Sequence, residues 1–533
     1  MGIQNNKVRR KLIGSFGTLK DETFNFELIE AYFRKKKSIR SEQIISDKTW
    51  NDLDLQEFFM FADRTVSVVG QQYFYSKLRT IDENRKEKDF ENLINKFTSD
   101  AEYRLAIQHE LYKLKSKDAF YISSLFQDEH LKQPKWLFVA RMLSAASLFS
   151  LILLFFNPAM AFVLFAIILV NFIIHYWNKK NLTPYIASIP QLLRLNSVAK
   201  ELYKDEALKC LNPELLESIA VLDKVRNRMS FFKLEAKLQG DLEAVAWGIL
   251  EFFKIIFLIE PILLFNVLGQ LDTKRREIEQ VFAFVGQADM LISIASLRHG
   301  LDLWCKPDIC TKHKKLLAKD IYHPLITSCI RNSIEINGKS VLLTGSNMSG
   351  KTSFIRTIGL NVISGLTLNT CFSGQFSFPP IRIFSAIRIS DDLMNDKSYY
   401  FEEVLTIKEM IDSSQSGYSN LFLLDEIFKG TNTVERISAG KAVLSALNKN
   451  NNLVFVSTHD IELADLLKDE YELYHFSETV NHQTVDFDYK LKEGKLKNRN
   501  AIRILQLNGY PEPIIEEAIG LSKQMDKAKL NFG

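Results

Sequence analysis

The chain has 533 residues, too many for one compact core, so roughly two to four domains are expected. Its 46% hydrophobic and 25% charged residues exclude global disorder, and a net charge of +4 is too small to argue for a nucleic-acid partner by itself. Five cysteines, at positions 210, 305, 310, 329 and 371, are odd in number and scattered, which argues against a disulfide framework and fits a reducing compartment.

Residues 1–45 are polar and basic, with clusters at Lys7–Lys11 and Arg34–Lys37 that read as solvated faces and a helix expected over Glu22–Lys37. They carry no apolar h-region, so no cleavable signal peptide is expected. Residues 46–131 read as the first part of a helical core. Apolar residues recur at three- and four-residue spacing in Leu53–Phe61 and Tyr73–Leu78, and again at Tyr103, Ile107, Leu111 and Leu114. Gly70 interrupts this pattern.

The composition then shifts. Trp136–Phe156 is mostly apolar with Arg141 as its only charge, Asn157-Pro158 makes a turn, and Ala159–Trp177 is apolar with Asn171 and His175 as its polar interruptions. Each run is about 30 Å long as a helix, enough to cross the hydrocarbon core of a bilayer. Trp136, Tyr176 and Trp177 sit at one end, flanked by Lys132, Lys135, Lys179 and Lys180. Residues 132–180 therefore read as a transmembrane helical hairpin with both ends cytoplasmic, which makes the chain membrane-anchored with its remaining domains in the cytoplasm.

Residues 181–318 read as the second, lever-like part of the helical core. Leu182–Gln239 is long, helical and charged, and Val281–Leu297 continues the helical pattern. Leu242–Leu268 between them is apolar but carries Glu243, Glu251, Lys254 and Glu260, with Pro261 interrupting. A charge at mid-membrane costs about 2.5–3.5 kcal/mol, so this stretch reads as a buried or amphipathic core helix. Cys305, Cys310 and His313 lie close together, but the spacing matches no common zinc pattern and a fourth ligand is missing, so no metal site is expected there.

From residue 319 the period changes. Ser333–Ile336 alternates, Asn337-Gly338 reads as a hairpin turn, and Val341–Leu343 is apolar. Further short apolar runs at Ile381–Phe384, Leu421–Leu424 and Leu453–Val456, separated by helical segments, mark an α/β sheet over residues 319–500. Residues 501–533 read as helix, turn, helix around Asn508-Gly509.

Val341–Phe354 reads VLLTGSNMSGKTSF, a strand running into G-x-x-x-x-G-K-T and a helix, the context of a P-loop. Gly345, Ser346, Asn347, Met348, Ser349, Gly350, Lys351, Thr352 and Ser353 are the candidate phosphate-binding residues for ATP. Glycines let backbone N–H groups curl round an anion, Lys351 reaches the phosphates, and the Thr352 hydroxyl is a candidate Mg²⁺ ligand. Leu421–Leu424 delivers Asp425 and Glu426 at a strand end, the first suited to holding Mg²⁺ and the second to activating water. Leu453–Ser457 leads into Thr458-His459-Asp460, which sets His459 at the same sheet edge to sense the γ-phosphate. Ser398, in ISDDLMNDKSYYFEE, reads by itself as a helix N-cap.

These motifs together resemble the MutS family of ATPases. TGSNMSGKT is similar to the family's TGPNMxGKS with Ser346 in the proline's place, the Ser398 segment to GASDDLxxGxSTFxxE, LLDEIFKGTNT to LLDEIGRGTST, and STHD to ATHxHEL. Tyr322-His323-Pro324 resembles the RHP preceding the ATPase sheet, and Phe61–Val66 with Gly70 the start of the helical core domain. The resemblance implies a multidomain α plus α/β protein: a helical core, here with a transmembrane hairpin, then a P-loop ATPase domain of the ABC-like type with a C-terminal helix-turn-helix. It also implies a homodimer in which each ATPase domain completes the other's site, with Ser398 approaching the partner's γ-phosphate. ATP turnover would be coupled to binding of mismatched or structured DNA. The departures are Tyr399-Tyr400 after the serine, Val434-Glu435-Arg436 for the family's Tyr-Asp-Gly, the hairpin, and no recognisable mismatch-reading domain or Phe-x-Glu wedge. They leave open an alternative, a membrane-tethered ATPase switch acting on a protein or envelope partner without DNA.

Overall fold

A computed structural model describes residues 2–36, 42–82, 87–128, 136–226, 244–309, 314–346, 348–388, 399–480, 485–496 and 501–530. The chain divides into two compact units, one of residues 1–39, 60–79 and 85–301, the other of residues 40–59, 80–84 and 302–533. The second unit thus recruits residues 40–59, of which the sequence pattern assigns 46–59 to the helical core. Their periodicity is helical, but Leu53, Leu55, Phe58 and Phe59 bury themselves in the second unit.

The first unit is helical. Its N-terminal segment holds two helices, α1 (Gly2–Ser15) and α2 (Phe26–Arg34), where one was expected over Glu22–Lys37. Gly70 does not interrupt a helix but lies within α3 (Val68–Leu78). A Cβ there would lie 2.2 Å from the Asp289 carboxylate, so the glycine marks a close approach. The apolar pair forms as two helices, α4 (Trp136–Leu153) and α5 (Met160–Leu202). Between them the Ala159 N–H donates to Asn157 Oδ1 at 3.0 Å. The second helix does not stop after Trp177 but runs on for 43 residues in all. The 242–268 stretch is two helices, α6 (Ala244–Phe257) and α7 (Ile259–Leu271), separated by Leu258 in the left-handed conformation at φ 46°. Pro261 sits in the first turn of α7, where its missing N–H costs nothing. α8 (Arg275–His299) is buried from Val281 to Arg298 apart from the half-buried Ala283 and Gln287. Its Asp289 accepts from the N–H groups of Val66 and Ser67 and from Ser67 Oγ, which satisfies the start of α3. Burial pushes the Asp289 pKa up to about 6 against those hydrogen bonds.

Among the described residues the second unit carries two short strand pairs, Glu42–Ile44 with Thr80–Asp82 and Glu478–Val480 with Val485–Phe487, and two larger sheets. The smaller takes β1 (Pro307–Ile309), β2 (Lys315–Ile321), β3 (Asn332–Asn337) and, after the P-loop helix, β5 (Gln375–Phe378), in the order β1-β5-β2-β3. The larger takes β4 (Ser340–Thr344), β6 (Arg382–Ala386), β7 (Asn420–Asp425), β8 (Leu453–Thr458), β9 (Tyr471–His475) and β10 (Lys492–Glu493), in the order β10-β9-β4-β8-β7-β6. All its pairings are parallel except β9 with β10. Asn337-Gly338 is therefore a turn but not a hairpin. β3 pairs with β2, and the chain crosses to the other sheet to begin β4.

The central strands β4, β7 and β8 are buried along almost their whole length, as strands covered on both faces must be. Leu342, Phe422, Leu424, Val454 and Val456 form one core with residues of the flanking helices, α10 (Tyr399–Ser414), α11 (Thr433–Leu447) and α12 (Ile461–Leu467). α9 (Lys351–Leu368) is the P-loop helix. At the C-terminus α13 (Ala501–Leu507) and α14 (Glu512–Leu530) follow, with Gly509 at φ 74° between them.

Candidate nucleotide site

The parallel register brings the chemistry to one edge. Ser457 on β8 stands opposite both Leu343 on β4 and Asp425 on β7, so the three strands end level with one another. Ligand sites in open α/β sheets form at this carboxyl edge. Gly345 leaves β4 at φ 153° and Gly350 caps α9 at φ 106°. A Cβ on Gly345 would lie 2.8 Å from both the Phe476 carbonyl and Ser349 Oγ, so no other residue fits this turn.

Lys351 is buried, and its Nζ donates to the carbonyls of Gly345 (2.9 Å) and Ser346 (2.8 Å) across the loop. Burial lowers its pKa while the nearby carboxylates of Glu426 and Asp425 oppose that shift. Thr352 Oγ1 donates to Asp425 Oδ2 at 2.8 Å, and Ser457 Oγ donates to the other oxygen of the same carboxylate. A hydroxyl and a carboxylate in contact at a helix N-terminus form an oxygen donor set suited to Mg²⁺. Glu426 turns out of β7 at φ 52°, and its N–H donates to the Ser457 carbonyl at 2.9 Å. Its carboxylate pairs with His459 Nε2 (2.5 Å) and Lys429 Nζ (2.5 Å). Burial alone would raise the Glu426 pKa, but the contacts with His459 and Lys429 outweigh it and hold the group at about 2. A cavity of about 540 Å³ adjoins the loop, lined among others by Tyr322, Ile330, Asn332, Met348, Phe476 and Tyr489. That volume lies in the range of small-molecule sites.

Of the residues expected from sequence, Gly345, Ser346, Met348, Ser349, Gly350, Lys351, Thr352, Ser353, Asp425, Glu426 and His459 lie at this edge. Asn347 and Ser398 lie outside the described residues, as do Cys310 and His313. Several participants were not expected. Lys429 and Ser457 sit inside motifs already recognised, so their positions were visible although their partners were not. Glu478 accepts from Ser346 Oγ at 2.7 Å, a bond the family's proline has no hydroxyl to make. Arg436 forms a two-point pair with Asp460, 2.8 Å at each contact, next to His459.

The least legible contribution comes from residues 42–54. Asp52 is buried and accepts from Ser385 Oγ (2.6 Å), the Ile387 N–H (3.0 Å) and the Arg388 N–H (2.8 Å). Asp54 pairs with Arg356 on the P-loop helix (3.1 Å) and with Arg388 (2.7 Å). One short segment thus holds both α9 and the chain leading towards Ser398.

This edge of a largely parallel sheet, with a buried lysine in a glycine turn, an acidic pair and a histidine, has the geometry of a nucleotide-binding domain. The family model for MutS domain V matches residues 341–526. The chain is 30% identical over 290 residues to the DNA mismatch repair protein MSH3 of Kluyveromyces lactis, covering 49% of this chain and 28% of that one. It is 28% identical over 265 residues to the DNA mismatch repair protein MutS of Aquifex pyrophilus, covering 46% and 29%. Residues 341–526 thus match a domain of the MutS family. The similarity spans less than a third of the length of these relatives.

Proposed function

We propose that this chain is an ATP hydrolase that acts as a homodimer and couples turnover to binding of mismatched or structured DNA, working from the cytoplasmic face of a membrane. The observation that carries the enzymatic reading is the convergence of Lys351, Thr352, Asp425, Glu426 and His459 at one sheet edge. Lys351 and the P-loop N–H groups bind the phosphates. Thr352 and Asp425 would hold Mg²⁺, which would supply neutralisation of phosphate charge. Glu426 orients the attacking water and takes its proton, and His459 reads the γ-phosphate. Ser398 reaches the γ-phosphate of the partner subunit's nucleotide, so hydrolysis requires two copies, and the helices of residues 501–530 support that pairing.

The DNA reading is supported by the names of the relatives, which are DNA mismatch repair proteins. Phosphate contacts make such binding steeply salt-dependent. A titration with duplex, mismatched and branched DNA at rising salt tests it; no binding at low salt refutes it.

The membrane reading is supported by the outward faces of α4 and α5. Phe149 (63% exposed), Phe155 (89%), Phe162 (82%) and Phe165 (63%) leave a long apolar surface without protein cover. An exposed patch of this kind is far from the surface of an ordinary soluble domain. This same surface favours the second reading, a membrane-tethered ATPase switch whose client is a protein or envelope component. Fractionation of cells, with DNA cross-linking on the membrane fraction, separates the two.

A further inference from the structure

We propose that the α6–α7 hairpin, Ala244–Leu271, is a shallow re-entrant membrane segment whose outer face contacts lipid acyl chains; this rests on the membrane reading of the 136–177 hairpin. Its sequence argues against lipid because of Glu251, Lys254 and Glu260. In the folded unit these three charges turn inward and pair. Lys254 Nζ lies 2.8 Å from Glu251 Oε2 and 2.6 Å from Glu260 Oε2, and His175 Nε2 of α5 lies 3.1 Å from Glu251 Oε1. Lys254 and His175 are fully buried and Glu260 is 1% exposed. No charged side chain of residues 248–271 is left on the outside, where Gly248, Phe252 and Phe253 stand exposed. Charges resume at Asp272, Lys274, Arg275 and Arg276, where the chain would return to water.

The break between the helices is built for the same setting. A chain reversal in lipid must satisfy its backbone from within the protein. Leu258, in the left-handed conformation, is fully buried. The Ile256 carbonyl, at the end of α6, accepts from Asn171 Nδ2 of α5 at 2.7 Å, and the same amide nitrogen reaches Ser147 Oγ of α4 at 3.3 Å. Asn171 and His175 are thus the two polar interruptions of the α5 span, and both serve the second hairpin. Asn171 lies six residues from Trp177, about 9 Å along a helix, so the reversal enters about a third as deep as the Asn157-Pro158 tip. Arg141 meets Asn266 of α7 at 3.1 Å and Trp136 packs edge-on to Phe265, which fixes the shallow end of the second hairpin beside the first.

The test uses the full chain with its five cysteines replaced by serine, reconstituted into vesicles of phosphatidylcholine and phosphatidylglycerol. Single spin labels are placed at Phe253→Cys, at Phe165→Cys on the first hairpin and at Leu216→Cys, an exposed position on Leu215–Arg226. Collision with dissolved oxygen is compared with collision with a water-soluble nickel chelate, and an unchanged circular dichroism spectrum confirms that each variant is folded. Position 253 should resemble position 165, with an oxygen preference several-fold above that at 216. If 165 meets lipid while 253 behaves like 216, the re-entrant hairpin is refuted and the membrane anchor stands. If 165 also behaves like 216, the anchor and the re-entrant hairpin fall together.

Discussion

Glu426→Gln tests the chemistry with little disturbance of shape. The carboxylate sits between His459 and Lys429 at 2.5 Å each, one oxygen to each, and a carboxamide of the same size keeps one of these contacts, because its oxygen accepts and its NH2 only donates. Lys351, Thr352 and Asp425 keep their contacts, because none of the hydrogen bonds that hold them passes through Glu426. Nucleotide binding should therefore survive. What is lost is the group that accepts a proton from water, a contribution of about 10²–10⁴ in rate, or about 3–5 kcal/mol of barrier. Single-turnover release of phosphate from labelled ATP measures the rate, and a fluorescent nucleotide measures affinity. A variant that hydrolyses ATP as fast as the parent would refute the assignment. Loss of affinity in step with rate would instead mean that Glu426 holds the loop.

Lys351→Ala should abolish nucleotide binding, because the buried ammonium has no substitute at the loop; wild-type affinity by fluorescence titration would contradict this. Lys429→Met removes one of the two partners that depress Glu426, so the carboxyl pKa rises and the acid limb of the rate profile moves to higher pH, measurable between about pH 4 and 8. Asp52→Ala leaves three donors without their acceptor and should cost about 3 kcal/mol or more in denaturant unfolding of the ATPase unit. Gly70→Ala drives a methyl into the Asp289 carboxylate and should destabilise the helical unit by about 1–3 kcal/mol in the same assay.

The site was legible where chemistry is written locally. Gly345 and Gly350 are required by their φ angles, and the acids follow buried strands directly, so motif and geometry are one fact. Reading failed where partners are distant. Asn337-Gly338 announces a turn, but whether its strands pair depends on Lys315–Ile321, which claims β3 first. The charges of 251, 254 and 260 led to the expectation of a buried or amphipathic core segment, and all three are buried; their neutralisation by one another and by His175 is an arrangement that only tertiary packing supplies. Residues 42–54 carry an ordinary helical pattern, and nothing in it points to Ser385 or Arg388.

That last pairing also has a schedule. Asp52 leaves the ribosome 336 residues before Arg388, roughly 15–70 s earlier at ordinary rates of synthesis. For that interval Leu53, Leu55, Phe58 and Phe59 have no ATPase sheet to cover them. The nascent chain must carry an apolar segment through the making of the entire helical unit before its proper surface exists. A holding chaperone, or early docking against the helical unit itself, is the kind of protection such an order of synthesis demands.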